Sequence, residues 1–255
     1  IASPHLLRGL TLHLPWQWPL LLASLLALIA ALMIFKLGVG PHLPATAKSG
    51  RPWAGLAAFK QPRFRAAALG YFGHCWELYA LWALVPFLVA RELERLGAAN
   101  GAQPWLSFAV IALGLPGCVL AGKWSRHIGS DRVACVALAV SGTLCLVYPL
   151  LGSASPWLLL ALLGVWGVSV IADSAQFSAL ASATAPPERL GAALAMMNAI
   201  GFGLTIPSIA LVTALWSSQS LAVIWWLVPG PILGLIAMRG FSSHQHLVKT
   251  VRGNR

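Results

Sequence analysis

Ala66–Ala90 reads AAALGYFGHCWELYALWALVPFLVA, and this stretch decides how the chain folds. An apolar helix needs about 20 residues to cross the hydrocarbon of a bilayer, and this run exceeds that with a single acid, Glu77, and no base. Backbone polar groups in lipid must be satisfied within the segment, so a run this long and apolar is a helix and not a barrel strand. Working outward, similar runs occupy Leu14–Phe35, Trp105–Ala121, Val133–Leu151, Trp157–Leu180, Gly191–Leu215 and Leu221–Met238. The expectation is an all-α membrane protein of about seven transmembrane helices.

Composition agrees. The 255 residues are 58% hydrophobic and 9% charged, with a mean hydropathy of +0.79, whereas soluble domains carry about a quarter charged residues. Lys and Arg number 17 against 6 acids, a balance that would suit a nucleic-acid binder if the bases shared a polar face. They fall between the apolar runs instead, so no nucleic-acid partner is expected. Cys75, Cys118, Cys135 and Cys145 lie inside apolar runs without CxxC spacing and read as small packing residues.

The bases also orient the chain, because cytoplasmic connections retain Lys and Arg. All of them except Arg8, Arg91 and Arg95 fall on one side, which places the start outside and the tail in the cytoplasm. Trp16, Trp18, Trp105, Trp157 and Trp216 sit at the outer ends, where an aromatic belt belongs. Four segments follow: residues 1–37 as an outer segment and lone transmembrane helix, 38–65 as a basic cytoplasmic linker, 66–239 as a six-helix bundle, and 240–255 as a basic cytoplasmic tail. The opening IASPHLLRGL lacks a leader pattern and begins with Ile1, as expected of a chain starting mid-protein.

Glu77 and Asp173 are the acids within the spans, each costing about 2.5–3.5 kcal/mol at a helix centre, so both default to a functional reading. Gly70, Gly73, His74 and Glu77 share one face at i, i+3, i+4, i+7 spacing, next to Tyr71. In the fifth helix Gly164 and Gly167 precede Ser169, Asp173 and Gln176. GYFGHCWE and GVWGVSVIAD thus each combine GxxG with an acid, three helices apart, the pattern of two inverted three-helix repeats around a midplane site. Asn198, Gly201, Thr205 and Ser208 add a polar face to the sixth helix. The weighing reading is that glycine stripes and membrane Ser or Thr serve packing. His74 and Glu77 three apart would supply half of a di-iron site, but the remaining carboxylates are absent, so neither metal nor other cofactor is expected.

Two connecting segments carry a family resemblance. Gly122–Arg132 reads GKWSRHIGSDR, in which Gly122 and Gly129 match the two glycines of a signature loop similar to GxLxDRxGRR, with Arg126, Asp131 and Arg132 as its charged residues. Arg126 stands where that loop usually has Asp, and His127 where it has Arg. Ala185–Ala193, APPERLGAA, is similar to a later cytoplasmic loop through Pro187, Glu188, Arg189 and Gly191. Together with helix count and orientation, these resemble the major facilitator superfamily, with the chain aligned to the sixth through twelfth helices, its carboxy-terminal half plus the preceding helix. Gly73–Ala83 and Ile171–Ala181 look like bacterial permeases, which implies an inner-membrane location.

The resemblance implies secondary transport of a small-molecule substrate by alternating access, with protons as an option for coupling and a missing amino-terminal helical bundle as partner. Glu77 and His74 are then expected on one wall of a cavity, with Asp173 and Gln176 on the opposite wall. A seven-helix receptor also suits the orientation, although the last helix lacks the lysine of a retinal protein. A membrane-embedded enzyme would need clustered carboxylates or a phosphate loop, and the six acids are scattered.

Overall fold

The computed structural model describes residues 2–37, 52–98 and 100–253. These residues are almost wholly helical, without a strand. Helix α1 (Ala2–Leu10) leads into α2 (Gln17–Leu37), and a 3-10 helix (Pro52–Lys60) precedes α3 (Pro62–Arg95). Then come α4 (Gln103–Ala112), α5 (Gly114–Ile128), α6 (Ser130–Leu150), α7 (Pro156–Ala172), α8 (Ser174–Thr184), α9 (Leu190–Gln219) and α10 (Pro229–Gly253).

Among the described residues, six helical segments are long and apolar enough to cross a membrane, and the last, Pro187–Phe241, spans 55 residues. At 1.5 Å per residue such a rod would far exceed the hydrocarbon thickness, so it must turn. It does so at Ser220, whose φ of 49° lies in the left-handed region, before a 3-10 helix over Ser220–Leu227. Helix α9 runs parallel to α3, since Gly201 abuts Tyr71 and Phe87 meets Trp216; α10 runs antiparallel, since Gly234 approaches Gly70 and Gly230 approaches Gly73. The described residues therefore hold seven helical segments suited to crossing.

Two expected spans are built from paired helices. The third crossing comprises α4 and α5, parted at Leu113, and the fifth comprises α7 and α8, parted at Asp173. The expected loop 122–132 is almost entirely helical: α5 continues to Ile128 and α6 starts at Ser130, leaving Gly129 as the turn. Its φ of 95° is open to glycine at little cost, and an added Cβ would meet the Asp131 carboxylate at 2.7 Å. Part of the expected linker is also ordered, because residues 52–60 pack against α9, with Gly55 pressed on the Ala192 carbonyl. Residues 38–51 lie outside the described chain, and the expected tail continues helically within α10.

Packing follows an inverted repeat. Helix α3 lies between α9 and α10, while α7 lies between α5 and α6. Each leading helix is thus flanked by the second and third helices of the other three-helix unit. Backbones touch where glycine faces a neighbouring helix: a Cβ on Gly73 would lie 2.2 Å from the Gly230 carbonyl oxygen, and one on Gly167 would lie 2.2 Å from that of Val110. Small residues give membrane helices the close approach that dispersion needs when lipid offers no hydrophobic drive. The GxxG stripes are therefore packing surfaces.

The interior is layered. Leu84, Leu88, Leu159 and Leu163 fill one end and Phe64, Ala67, Met197 and Phe241 the other. Between them lies a belt of buried polar groups. Outside the bundle, α2 has no buried residue and packs against α1, which rests on α4.

Candidate functional site

Helix α3 carries the polar belt, and its residues diverge from the shared face expected of them. Glu77 points toward α6 and α7, where its carboxylate accepts hydrogen bonds from Trp166 Nε1 at 2.9 Å, Ser141 Oγ at 3.0 Å and Cys145 Sγ at 3.4 Å. It is wholly buried, and its donors are uncharged. Burying an ionised carboxyl is costly without partners, and three converging donors offset part of that cost.

His74, one turn earlier, points instead at the junction of α7 and α8. Its Nδ1 lies 2.8 Å from Asp173 Oδ1, with both side chains inaccessible to solvent. The contact is short enough for an ion pair but is not aligned as a hydrogen bond, and no other side chain among the described residues donates to the Asp173 carboxylate. Asp173 sits where α7 ends and α8 begins, so it joins backbone discontinuity to side-chain polarity. Tyr71 and Phe177 flank the imidazole, with ring centroids 6.0 Å and 6.1 Å away. Gln176 is buried three residues further along α8.

Expected site residues thus fall into two groups. His74, Glu77, Asp173, Gln176 and Tyr71 meet in one buried layer, whereas Asn198 is exposed outside it. Thr205 and Ser208 return their hydroxyls to carbonyls of their own helix. Asp173 does not face His74 across a hollow, as opposite walls would require; the two touch, and neither acid lines the groove between α3, α9 and α10 or the one between α5, α6 and α7. Of the signature loop, Gly122 lies within α5, Arg126 and Arg132 are exposed, and Asp131 occupies the first turn of α6, where its charge complements the helix dipole.

One buried acid escaped sequence reading. Glu92 is fully buried beyond the expected end of the second span, gripped by Arg91 and by Arg95 Nη1 at 2.6 Å. Arg91 Nη2 donates to the Gly152 carbonyl and Arg95 Nη2 to that of Ala154, at 2.8 Å and 2.7 Å, so the same arginines tie α3 to the turn after α6. The spacing of RELER was visible, but nothing in it showed that α3 continues to Arg95. The partners of Glu77 were equally hidden, since Trp166, Ser141 and Cys145 come from two other helices.

A bundle of apolar helices with a buried titratable layer defines an integral membrane protein of the transporter class. The chain belongs to the Major Facilitator Superfamily, whose family model matches residues 1–209. Its activity is therefore membrane transport, and the superfamily comprises transporters rather than enzymes. The match ends within α9. No curated protein and no solved structure matched the chain.

Proposed function

We propose that this chain is the carboxy-terminal six-helix bundle, with the preceding helix, of a secondary active transporter that moves a small solute by alternating access and couples it to protons. The observation that carries the reading is the His74–Asp173 contact at 2.8 Å, buried between α3 and the α7–α8 junction, with no other side chain among the described residues donating to Asp173. A His–Asp pair in a membrane interior holds a proton stably when closed and releases it when water enters. Separation of α3 from α8 is the motion that admits water, and Glu77, held by three donors, keeps the layer polar during it. Gln176 and Tyr71 border the same layer and offer neutral hydrogen-bonding groups to a solute.

The uneven distribution of bases supports a start outside and a tail in the cytoplasm of a bacterial inner membrane. An amino-terminal bundle completing the pathway fits the apolar side chains left exposed on α5 and α9, among them Leu115 and Ile206.

The test uses the complete transporter in proteoliposomes, with solutes chosen by their thermal stabilisation of the purified protein. His74→Gln and Asp173→Asn should abolish uptake driven by a pH gradient while leaving solute exchange across equal pH. Full gradient-driven uptake in both variants would end the coupling assignment.

A further inference from the structure

Ser141 has two acceptors within reach of one hydroxyl hydrogen. Its Oγ lies 3.0 Å from Glu77 Oε2 and 3.2 Å from the carbonyl oxygen of Leu138, one turn back on α6. A hydroxyl rotates about its C–O bond to suit either partner, and its oxygen accepts as readily as it donates. Serine and threonine within helices commonly return their hydrogen to the backbone of the preceding turn, as Thr205 and Ser208 do in α9. Ser141 differs in that a carboxylate oxygen competes for the same hydrogen. It is also fully buried, as is Glu77.

The two oxygens of Glu77 are not equivalent. Oε1 receives the Trp166 indole N–H at 2.9 Å and the Cys145 thiol at 3.4 Å, so both of its lone pairs are taken, and an indole nitrogen only donates. Oε2 faces Ser141 Oγ, a partner able to reverse the direction of the bond. No base forms an ion pair with Glu77 among the described residues. The titratable groups that act on it are His74 of its own helix, Cys145 of α6 and Asp173 at the α7–α8 junction. The carboxyl thus has one oxygen fixed as an acceptor and one whose neighbour suits it with or without a proton.

We infer that Ser141 is a positioning residue that lets Glu77 take up and release a proton at Oε2 without either group losing a hydrogen bond. In the ionised state Ser141 donates to Oε2. In the neutral state an O–H bond has formed at Oε2 with a proton from water entering the layer. That O–H donates to Ser141 Oγ, and the Ser141 hydrogen has turned to the Leu138 carbonyl. Ser141 keeps its own hydrogen throughout, while the carboxyl passes from charged to neutral. Trp166 and Cys145 hold Oε1 in both states, so the side chain keeps its place as its charge changes. A buried polar group left unpaired in either state would be costly, and the serine avoids that cost in both. The inference rests on the proton-coupled reading above and extends it from the His74–Asp173 pair to a second group.

Infrared difference spectra between acidic and alkaline buffer, taken on the full chain reconstituted in lipid, test this. A carboxylic acid C=O band should grow on acidification, vanish on return to alkaline buffer, and be missing in Glu77→Gln. In Ser141→Ala the Glu77 O–H has no acceptor, and the band should move to higher wavenumber. Ser141→Thr restores the hydroxyl and should bring the band back. Ser141→Cys, closer in size to serine, should leave it between those two positions, because a thiol is a weaker acceptor. Absence of a Glu77 band at every pH, a band that ignores pH, or one that stays in place in Ser141→Ala overturns the inference. Asp173→Asn should keep the Glu77 band, so the coupling assignment and this one fail separately: the first in uptake, the second in the spectrum.

Discussion

His74 on α3 and Asp173 at the α7–α8 junction touch at 2.8 Å, and this contact links the leading helices of the two inverted units. Ninety-nine positions of sequence separate them, and no spacing rule would have paired them. Because both are buried, removing either leaves its partner without compensation.

A double-mutant cycle exposes that dependence. His74→Gln and Asp173→Asn should each lower the thermal stability of the purified protein, while the double variant should lose less than the sum. Coupling of about 0.5–3 kcal/mol is the expected range for residues in contact. Strict additivity would show that the two side chains do not interact.

Glu77 is distinguished by how many donors it satisfies. Glu77→Gln keeps an acceptor oxygen for Trp166 or Ser141, whereas Glu77→Leu strands both along with Cys145. Each stranded buried donor costs about 1–3 kcal/mol, so the leucine variant should melt well below the glutamine variant in a detergent thermal scan.

Glycine replacements should separate sharply by location. Gly73→Ala drives a methyl into the Gly230 backbone and should reduce the yield of folded protein by size-exclusion chromatography. Gly203→Ala meets nothing within 4 Å and should stabilise by up to about 1 kcal/mol, since glycine is a poor residue for a helix interior. Gly129→Ala, at a φ of 95°, should be costly, while Gly122→Ala, with open space around it, should fold normally.

The arginine clamp gives a further contrast. Arg95→Ala removes a partner from buried Glu92 and a donor from the Ala154 carbonyl. Because Arg91 still pairs with Glu92, the loss should fall below the about 3–5 kcal/mol of a buried charge left wholly uncompensated, and Glu92→Gln in the same background should recover part of it. Thermal unfolding of the three variants measures both effects.

Much of the fold was legible because apolar run length is a strong signal in lipid. All seven crossings were readable from it, and so was the pairing of GYFGHCWE with GVWGVSVIAD. The breaks at Leu113 and Asp173 were not, because both residues keep right-handed helical dihedrals and the apolar pattern passes through them unchanged. The loop 122–132 was misread because exposed Lys123, Arg126 and His127 look like loop residues, although a helix that outlasts the hydrocarbon carries the same side chains. In the site, cost of burial singled out Glu77 and Asp173. Their partners depend on helix rotation, which is fixed by the glycine contacts and has no local trace in sequence. Asn198 illustrates the same limit, since its polar stripe was real but turned partly outward.

The two leading helices differ mechanically. Helix α3 is one strut of 34 residues, and its interior proline, Pro86, lies well past the polar layer. Its counterpart is jointed at Asp173 into lengths of 17 and 11 residues. In the proposed cycle, bending would therefore fall at that break, carrying the short arm with Gln176 and Phe177 while the strut stays straight. The carboxylate touching His74 sits at the break itself, so such a bend would alter that one separation first.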